Sequence, residues 1–284
     1  MGAAFVIALR EGIEAALIVS IILAYLKQLG RIDRSHLVWW GTGLAVALSA
    51  ILGTVIFSVG AEFDGTAEQV FEGLVTLTAV GVLTWMIFWM RRQGARIKSE
   101  LQEKVDTALV AGGLALAALA FFAVLREGVE TALFLFAAAE GTAVEGGGVG
   151  AQLVGAALGL ALAIVLGVLL YRGGIRMNLR SFFRVTGVIL LVVAAGLFAY
   201  SVHELQEAGW FPFLEAHAYD LSATLPDDEG IGAVLRGLVG YNADPGVLEV
   251  LAWVAYLVVV GALYLRPVVA STPSRSVAVD AANR

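Results

Sequence analysis

Seven apolar stretches, at roughly 3–26, 37–60, 70–90, 114–138, 150–171, 183–203 and 247–265, leave this chain little choice of fold. Each is near or above the ~20 residues that cross ~30 Å of hydrocarbon. Backbone N–H and C=O groups find no water at that depth, so such stretches satisfy them internally as helices. Soluble core helices would need polar faces, and these stretches have none. The composition agrees: 60% of the 284 residues are hydrophobic and 15% are charged, against about 25% charged in a soluble domain. The expected fold class is all-α, a polytopic membrane protein with seven transmembrane helices. The first stretch lacks a basic n-region and carries three charges, so it reads as a permanent span and not as a signal peptide.

The basic residues set the orientation. Lys27, Arg31 and Arg34 follow the first span, and Arg91, Arg92, Arg96, Lys98 and Lys104 follow the third. Arg172, Arg176, Arg180 and Arg184 lie between the fifth and sixth, and Arg266, Arg275 and Arg284 follow the seventh. These are 15 of the 18 basic residues, all on one side. By the positive-inside rule that side is cytoplasmic, which predicts N-out/C-in. The other side is acidic, with Glu62, Asp64 and Glu68, then Glu140 and Glu145, then Glu207, Glu215, Asp227, Asp228, Glu229 and Asp244. A carboxylate-rich mouth concentrates cations. A net charge of −6 offers no surface for nucleic acid. The absence of cysteine removes disulfides, thiolate metal sites and thiol nucleophiles.

Charge inside the spans is the informative exception. The first span contains Arg10-Glu11-Gly12-Ile13-Glu14 and the fourth contains Arg126-Glu127-Gly128-Val129-Glu130. Phe5 and Phe121, Leu9 and Leu125, Ala16 and Ala132, and Leu17 and Leu133 match at the same offset of 116 residues. With alternating topology the first span runs inward and the fourth outward. The chain therefore reads as two inverted three-helix repeats, about 3–90 and 107–203, then an outer loop 204–246 and a seventh helix 247–265. Together they form one transmembrane domain over 1–266. A disordered cytoplasmic tail is expected over 267–284. Inverted repeats place a transporter's site near the bilayer midplane, between the halves.

Each midspan charge costs ~2.5–3.5 kcal/mol on insertion scales, which points to function. Glue alone is a weak alternative, because buried ion pairs roughly break even. Arg and the second Glu stand at i,i+4, and the two Glu at i,i+3, so each motif aims its charges at one sector. Two antiparallel spans would gather Glu11, Glu14, Glu127 and Glu130 around one point. Gly12 and Gly128 would let the backbones approach. Such an all-oxygen site suits Mg, Ca, Mn or iron. Arg10 and Arg126 bring the ionised cluster to a net −2, which balances one divalent ion and would leave +1 with a trivalent one; protonation of a buried carboxyl leaves both oxidation states open.

Paired R-E-G-x-E motifs in the first and fourth of seven helices resemble the oxidase-dependent iron transporter family, with its fungal high-affinity permeases and bacterial EfeU-type permeases. Further similarity lies in Phe71-Glu72-Gly73, Leu83-Thr84-Trp85-Met86, Phe88-Trp89-Met90-Arg91, Val105-Asp106, Phe121-Phe122-Ala123-Val124, Gly173-Gly174-Ile175-Arg176 and Asn178-Leu179. His203-Glu204, Glu207-Ala208-Gly209 and Asp220-Leu221-Ser222-Ala223 extend it into the outer loop. The resemblance implies an iron permease of the plasma (inner) membrane and not an enzyme. Glu11, Glu14, Glu127 and Glu130 would be metal ligands, and Arg10 and Arg126 supporting charges. Iron would be the transported substrate, with no permanently bound cofactor. It also implies partners: a periplasmic iron-binding protein with a haem peroxidase, or a ferroxidase. Fungal members carry an outer Asp-Ala-Ser-Glu motif, and Asp220-Leu221-Ser222-Ala223 lacks its final acid. Transport of another divalent metal (Mn, Pb) and a membrane-embedded carboxylate iron oxidase are the alternatives. The latter usually needs a Glu-x-x-His motif, which these spans lack.

Outside the motifs, Glu72, His203, Glu204 and Asp220 are candidate relay ligands between mouth and site, with Glu249 beside them. Each is equally explained as a polar residue at a helix end. His217 and Asp220 would share a face if their segment is helical. Asp106 reads as an acid opening the fourth span, where a helix N-terminus favours it. The tryptophans Trp39, Trp40, Trp85, Trp89, Trp210 and Trp253 fit interfacial belts or packing.

Overall fold

The long apolar stretches form long helices in the computed structural model, which describes residues 1–60, 62–93, 97–140, 148–173, 179–214, 216–227 and 230–266. In chain order these are α1 (Gly2–Gln28), α2 (Ser35–Gly60), α3 (Thr66–Gln93), α4 (Ile97–Ala111) and α5 (Gly113–Glu140). Then follow α6 (Gly148–Tyr171), α7 (Leu179–Glu207), α8 (Gly230–Val239) and α9 (Val247–Leu265). No β-strand forms among the described residues. Arg96, Glu145, Gly174, Ile175, Arg176, Asn178, Glu215, Asp228, Glu229 and the tail 267–284, with Arg275 and Arg284, lie outside them.

Five helices, α2, α3, α6, α7 and α9, are long and apolar enough to cross a membrane by length and composition. The sequence predicts seven. The other two, α1 and α5, are long enough at 27 and 28 residues but carry the charged motifs. The difference is therefore one of midspan charge, not of length.

The central helices α1 and α5 run antiparallel. Ala3 and Ile7 of α1 share a core with Phe134, Ala137 and Ala138 of α5. At the other end Val19, Ile22, Leu23 and Leu26 share a second core with Leu116, Ala120 and Val124. Helix α6 runs parallel to α1, and α2 runs parallel to α5, at backbone-close distances. A methyl on Gly155 would strike the carbonyl of Met1, and one on Gly167 would sit 2.6 Å from Cβ of Ala16. In the other pair, a methyl on Gly41 would strike the carbonyl of Ala117, and one on Gly53 would sit 3.5 Å from Cβ of Ala132. Small residues at such crossings are what membrane helices use in place of a hydrophobic driving force. On the opposite flank α3 packs antiparallel to α7, with Gly73 against Leu205 and Gly187 beside Ile87.

Two parts of the chain differ from the sequence expectation. Asp106 does not open the fourth span. It lies in the short amphipathic α4, which ends at Ala111, and Gly112 (φ +116°) turns the chain into α5. Only glycine adopts that φ without strain. Asp106 instead accepts hydrogen bonds from the Tyr25 hydroxyl at 2.9 and 2.8 Å, tying α4 to the end of α1. The segment 204–246 is not an open loop either. α7 continues to Glu207, and α8 packs against α1 through Leu238 and Gly2. Ala218 N–H donates to the Pro245 carbonyl and Leu221 N–H to that of Ala243, both at 2.8 Å. His217 is therefore in an extended bridge opposite Gly246 and not on a helix.

Candidate metal centre

The motif glutamates meet where α1 crosses α5. Glu11, Glu14 and Glu127 each place a carboxylate oxygen within 4.8 Å of the other two, and all three are buried. Oxygens on opposite sides of an ion bound at ~2.0–2.6 Å stand about 4–5 Å apart, so the triad is close to a cation-binding spread. Oε2 of Glu11 and Oε2 of Glu127 are buried and accept no hydrogen bond, and neither does Oε2 of Glu130. A buried carboxylate oxygen without a donor loses its hydration uncompensated. A bound cation would supply that compensation.

The helix crossing is tight at the motif glycines. A methyl on Gly12 would lie 2.7 Å from Cβ of Ala163 on α6, and one on Gly128 would collide with the Ser49 hydroxyl on α2. A cavity of ≈ 880 Å³ opens beside them, and Glu11, Gly12, Glu127 and Gly128 line it with Ser49 and Leu160. The rest of its lining is mostly apolar, with Val46, Phe57, Leu135 and Leu153.

The two arginines have different surroundings. Arg10 is 2% exposed, with Nη1 2.7 Å from Oε1 of Glu11 and Nη2 3.0 Å from Oε1 of Glu14. The same guanidinium donates to the sulfurs of Met86 at 3.2 Å and Met90 at 2.8 Å, both on α3. Arg126 pairs through Nε with Oε1 of Glu130 at 2.8 Å, and its side chain is 40% exposed. Its guanidinium carbon stands 4.9 Å over the ring of Trp89 and 5.8 Å over that of Trp85. Glu130 is thus buried and engaged by its own arginine, while Glu127 faces the first motif.

The relay candidates divide. The Tyr200 hydroxyl donates to Oε2 of Glu72 at 2.5 Å, and the carboxyl groups of Glu72 and Glu140 lie within hydrogen-bonding reach. Glu204 adds its charge to the same cluster, where the C-terminal ends of α5 and α7 meet the N-terminal end of α3. His203 turns elsewhere, with Nε2 3.2 Å from Oε1 of Glu207 and Nδ1 3.6 Å from Oε2 of Glu249. Asn242 donates to both oxygens of Glu249 at 3.2 Å. Asp220 joins none of these. It is exposed and accepts from the Ser222 backbone N–H at 3.0 Å, a bond that holds its carboxyl below the usual carboxylate range. His217 pairs with Asp244 at 2.7 Å.

The sequence did not single out Met86, Met90 or Tyr200, took Trp85 and Trp89 for belt or packing residues, and placed Glu140 among ordinary loop acids. One signal was available for α3: Trp85 and Trp89, and Met86 and Met90, recur at i,i+4 on a single span.

Comparison with known proteins gives the family. The model of the Iron permease FTR1 family matches residues 1–277. The "Ferrous iron permease EfeU" of Escherichia coli O157:H7 is 44% identical over 276 residues, which cover 96% of this chain and 98% of the relative. The protein of the same name from Yersinia pestis is 40% identical over 266 residues, 93% of each chain. No solved structure matches. The matched family is one of permeases, and its apolar helices make this a multi-pass integral membrane protein. Matched along nearly its whole length, this chain belongs to the FTR1 iron permease family.

Proposed function

We propose that the chain imports ferrous iron across the inner membrane through the site between α1 and α5. The observation that carries this is the buried triad of Glu11, Glu14 and Glu127 with its donor-less oxygens. Three carboxylates and Arg10 give a net −2, and the Arg126–Glu130 pair adds nothing to it. That balance suits a divalent ion, in line with relatives named as ferrous iron permeases. Glu130 completes a four-glutamate set once Arg126 releases it. Glu72 and Glu204, with Glu140, form the relay at the outer mouth. Iron would reach that mouth from a periplasmic iron-binding protein with a haem peroxidase, or from a ferroxidase.

Seven spans in an N-out/C-in arrangement carry this mechanism, as two inverted repeats plus α9. Close contacts support the repeat. A shift of 116 residues between α1 and α5, with 114 between α2 and α6, turns Gly53–Ala132 into Gly167–Ala16. The same shifts turn Gly128–Ser49 into Gly12–Ala163, and Gly41–Ala117 into Gly155–Met1. Two halves packed by equivalent contacts around one site are the architecture that rocks between outward and inward access.

Purified protein in liposomes, loaded with Fe(II), Fe(III) or Mn(II) at two pH values, tests the function. Fe(II) flux that Mn(II) competes for only weakly is the expected result. Preferred Mn(II) flux would reassign the substrate, and ferroxidase turnover without flux would replace transport by oxidation.

A further inference from the structure

The two motifs are alike in sequence but differ in one contact. Arg10 bonds the glutamate that follows it, at 2.7 Å. No ion pair joins Arg126 to Glu127 among the described residues, although Oε2 of Glu127 is buried without a donor. Successive helix residues do not face each other, so the i,i+4 pairs Arg10–Glu14 and Arg126–Glu130 are the ordinary geometry and the Arg10–Glu11 bond is the additional one. The surroundings of each guanidinium differ with that contact.

Helix α3 supplies the difference. Met86 and Met90 form one i,i+4 row that faces Arg10, and Trp85 and Trp89 form the next row, which faces Arg126. The two indoles lie stacked, with centroids 6.2 Å apart and planes at 24°. A guanidinium is drawn to such a shelf by the quadrupole of the rings. Nε of Arg126 then reaches Glu130 and leaves Glu127 free. The thioethers opposite offer only weak acceptors, so Arg10 leans on its two carboxylates instead.

We propose that Trp85 and Trp89 are positioning residues which hold Arg126 away from Glu127, and so keep the metal centre a three-carboxylate site of net charge −2. This rests on the assignment of Glu11, Glu14 and Glu127 as iron ligands. With the shelf removed, Arg126 closes on Glu127 as Arg10 does on Glu11. The triad then loses its one carboxylate without an arginine partner, and the carboxylate released in exchange, that of Glu130, lies outside it. Helix α3 thereby makes two near-identical motifs unequal, one neutralising its own glutamates and the other presenting a bare ligand.

Anoxic Fe(II) titration of the purified full-length chain tests this, with KM and kcat for uptake in liposomes. Trp85→Ala/Trp89→Ala is expected to weaken Fe(II) binding about tenfold or more, and to raise KM more than it lowers kcat. Trp89→Phe keeps a ring face and is expected to stay within about threefold of wild type. Trp89→Leu serves if the double variant does not fold, and it should weaken binding in the same direction. The deciding arm is epistasis: in an Arg126→Gln background the tryptophan changes should leave Fe(II) affinity where Arg126→Gln alone puts it. An equal loss in that background would show that the tryptophans act only by packing. Unchanged affinity with Arg126 present would also overturn the proposal. A different failure marks the underlying assignment: Glu127→Gln that binds Fe(II) as wild type does would remove the site itself.

Discussion

The Tyr200 hydroxyl lies 2.5 Å from Oε2 of Glu72, joining the C-terminal part of α7 to the N-terminal part of α3. Glu140 reaches the same carboxylate from α5. One phenol donor therefore serves a junction that also holds Glu204. Tyr200→Phe removes that donor and leaves the carboxylates to repel each other. A hydrogen bond to a charged group contributes ~1.5–3 kcal/mol. The expected result is a lower melting temperature, together with several-fold slower Fe(II) uptake at low external iron. Unchanged uptake and melting would remove the junction from the path.

Tight crossings at the motif glycines give a second expectation. A methyl at Gly128 meets the Ser49 hydroxyl, whose own bond goes to the Ala45 carbonyl at 2.8 Å. Gly128→Ala should cost ~1–3 kcal/mol by overpacking. Ser49→Gly in the same chain should restore much of it, because it removes the colliding atoms. At Gly12 the obstacle is Cβ of Ala163, and Ala163→Gly should rescue Gly12→Ala in the same way. Thermal unfolding in detergent reads both pairs, and rescue in neither would disprove the contacts.

Much of the site is legible in the sequence because helical geometry is local. The spacing of Glu11 and Glu14, and the match of Glu11 with Glu127 across the repeat, need only 3.6 residues per turn and alternating topology. Which glutamate would be free was not legible. That depends on two rows of α3, and their facing is set by packing against α5 and α7, not by any periodicity of α3 itself. Glu140 was hidden for another reason. The apolar run ends near residue 138, while the helix continues to Glu140, in what reads as loop. The outer segment was the least legible part, since its pairing of 216–221 with 243–247 is non-local.

The orientation can be tested directly, because the chain has no cysteine to interfere. Asp64→Cys lies between α2 and α3, and Lys104→Cys lies on α4. With the N-terminus outside, a membrane-impermeant maleimide should label position 64 in intact cells. It should label position 104 only after permeabilisation. The reverse pattern would invert the proposed direction of every span and place the acidic mouth inside.

Removing carboxylates one at a time separates the roles within the metal centre. Glu11→Gln, Glu14→Gln and Glu127→Gln each remove one of the three converging carboxylates proposed as ligands and nearly preserve side-chain volume. Each should abolish measurable Fe(II) uptake, since a ligand lost from a three-carboxylate site removes both a bond and a charge. Glu130→Gln should behave differently. Its Oε1 is engaged by Nε of Arg126 at 2.8 Å, and that oxygen is not part of the triad. Fe(II) binding at equilibrium should survive in Glu130→Gln with about a threefold to tenfold loss, as Arg126 loses a charged partner and drifts toward Glu127. Turnover should fall further than binding if Glu130 takes over as a ligand when the halves rock. Binding titration set beside initial uptake rates resolves the two effects, and equal loss of binding in all four variants would make the centre a symmetric four-glutamate site.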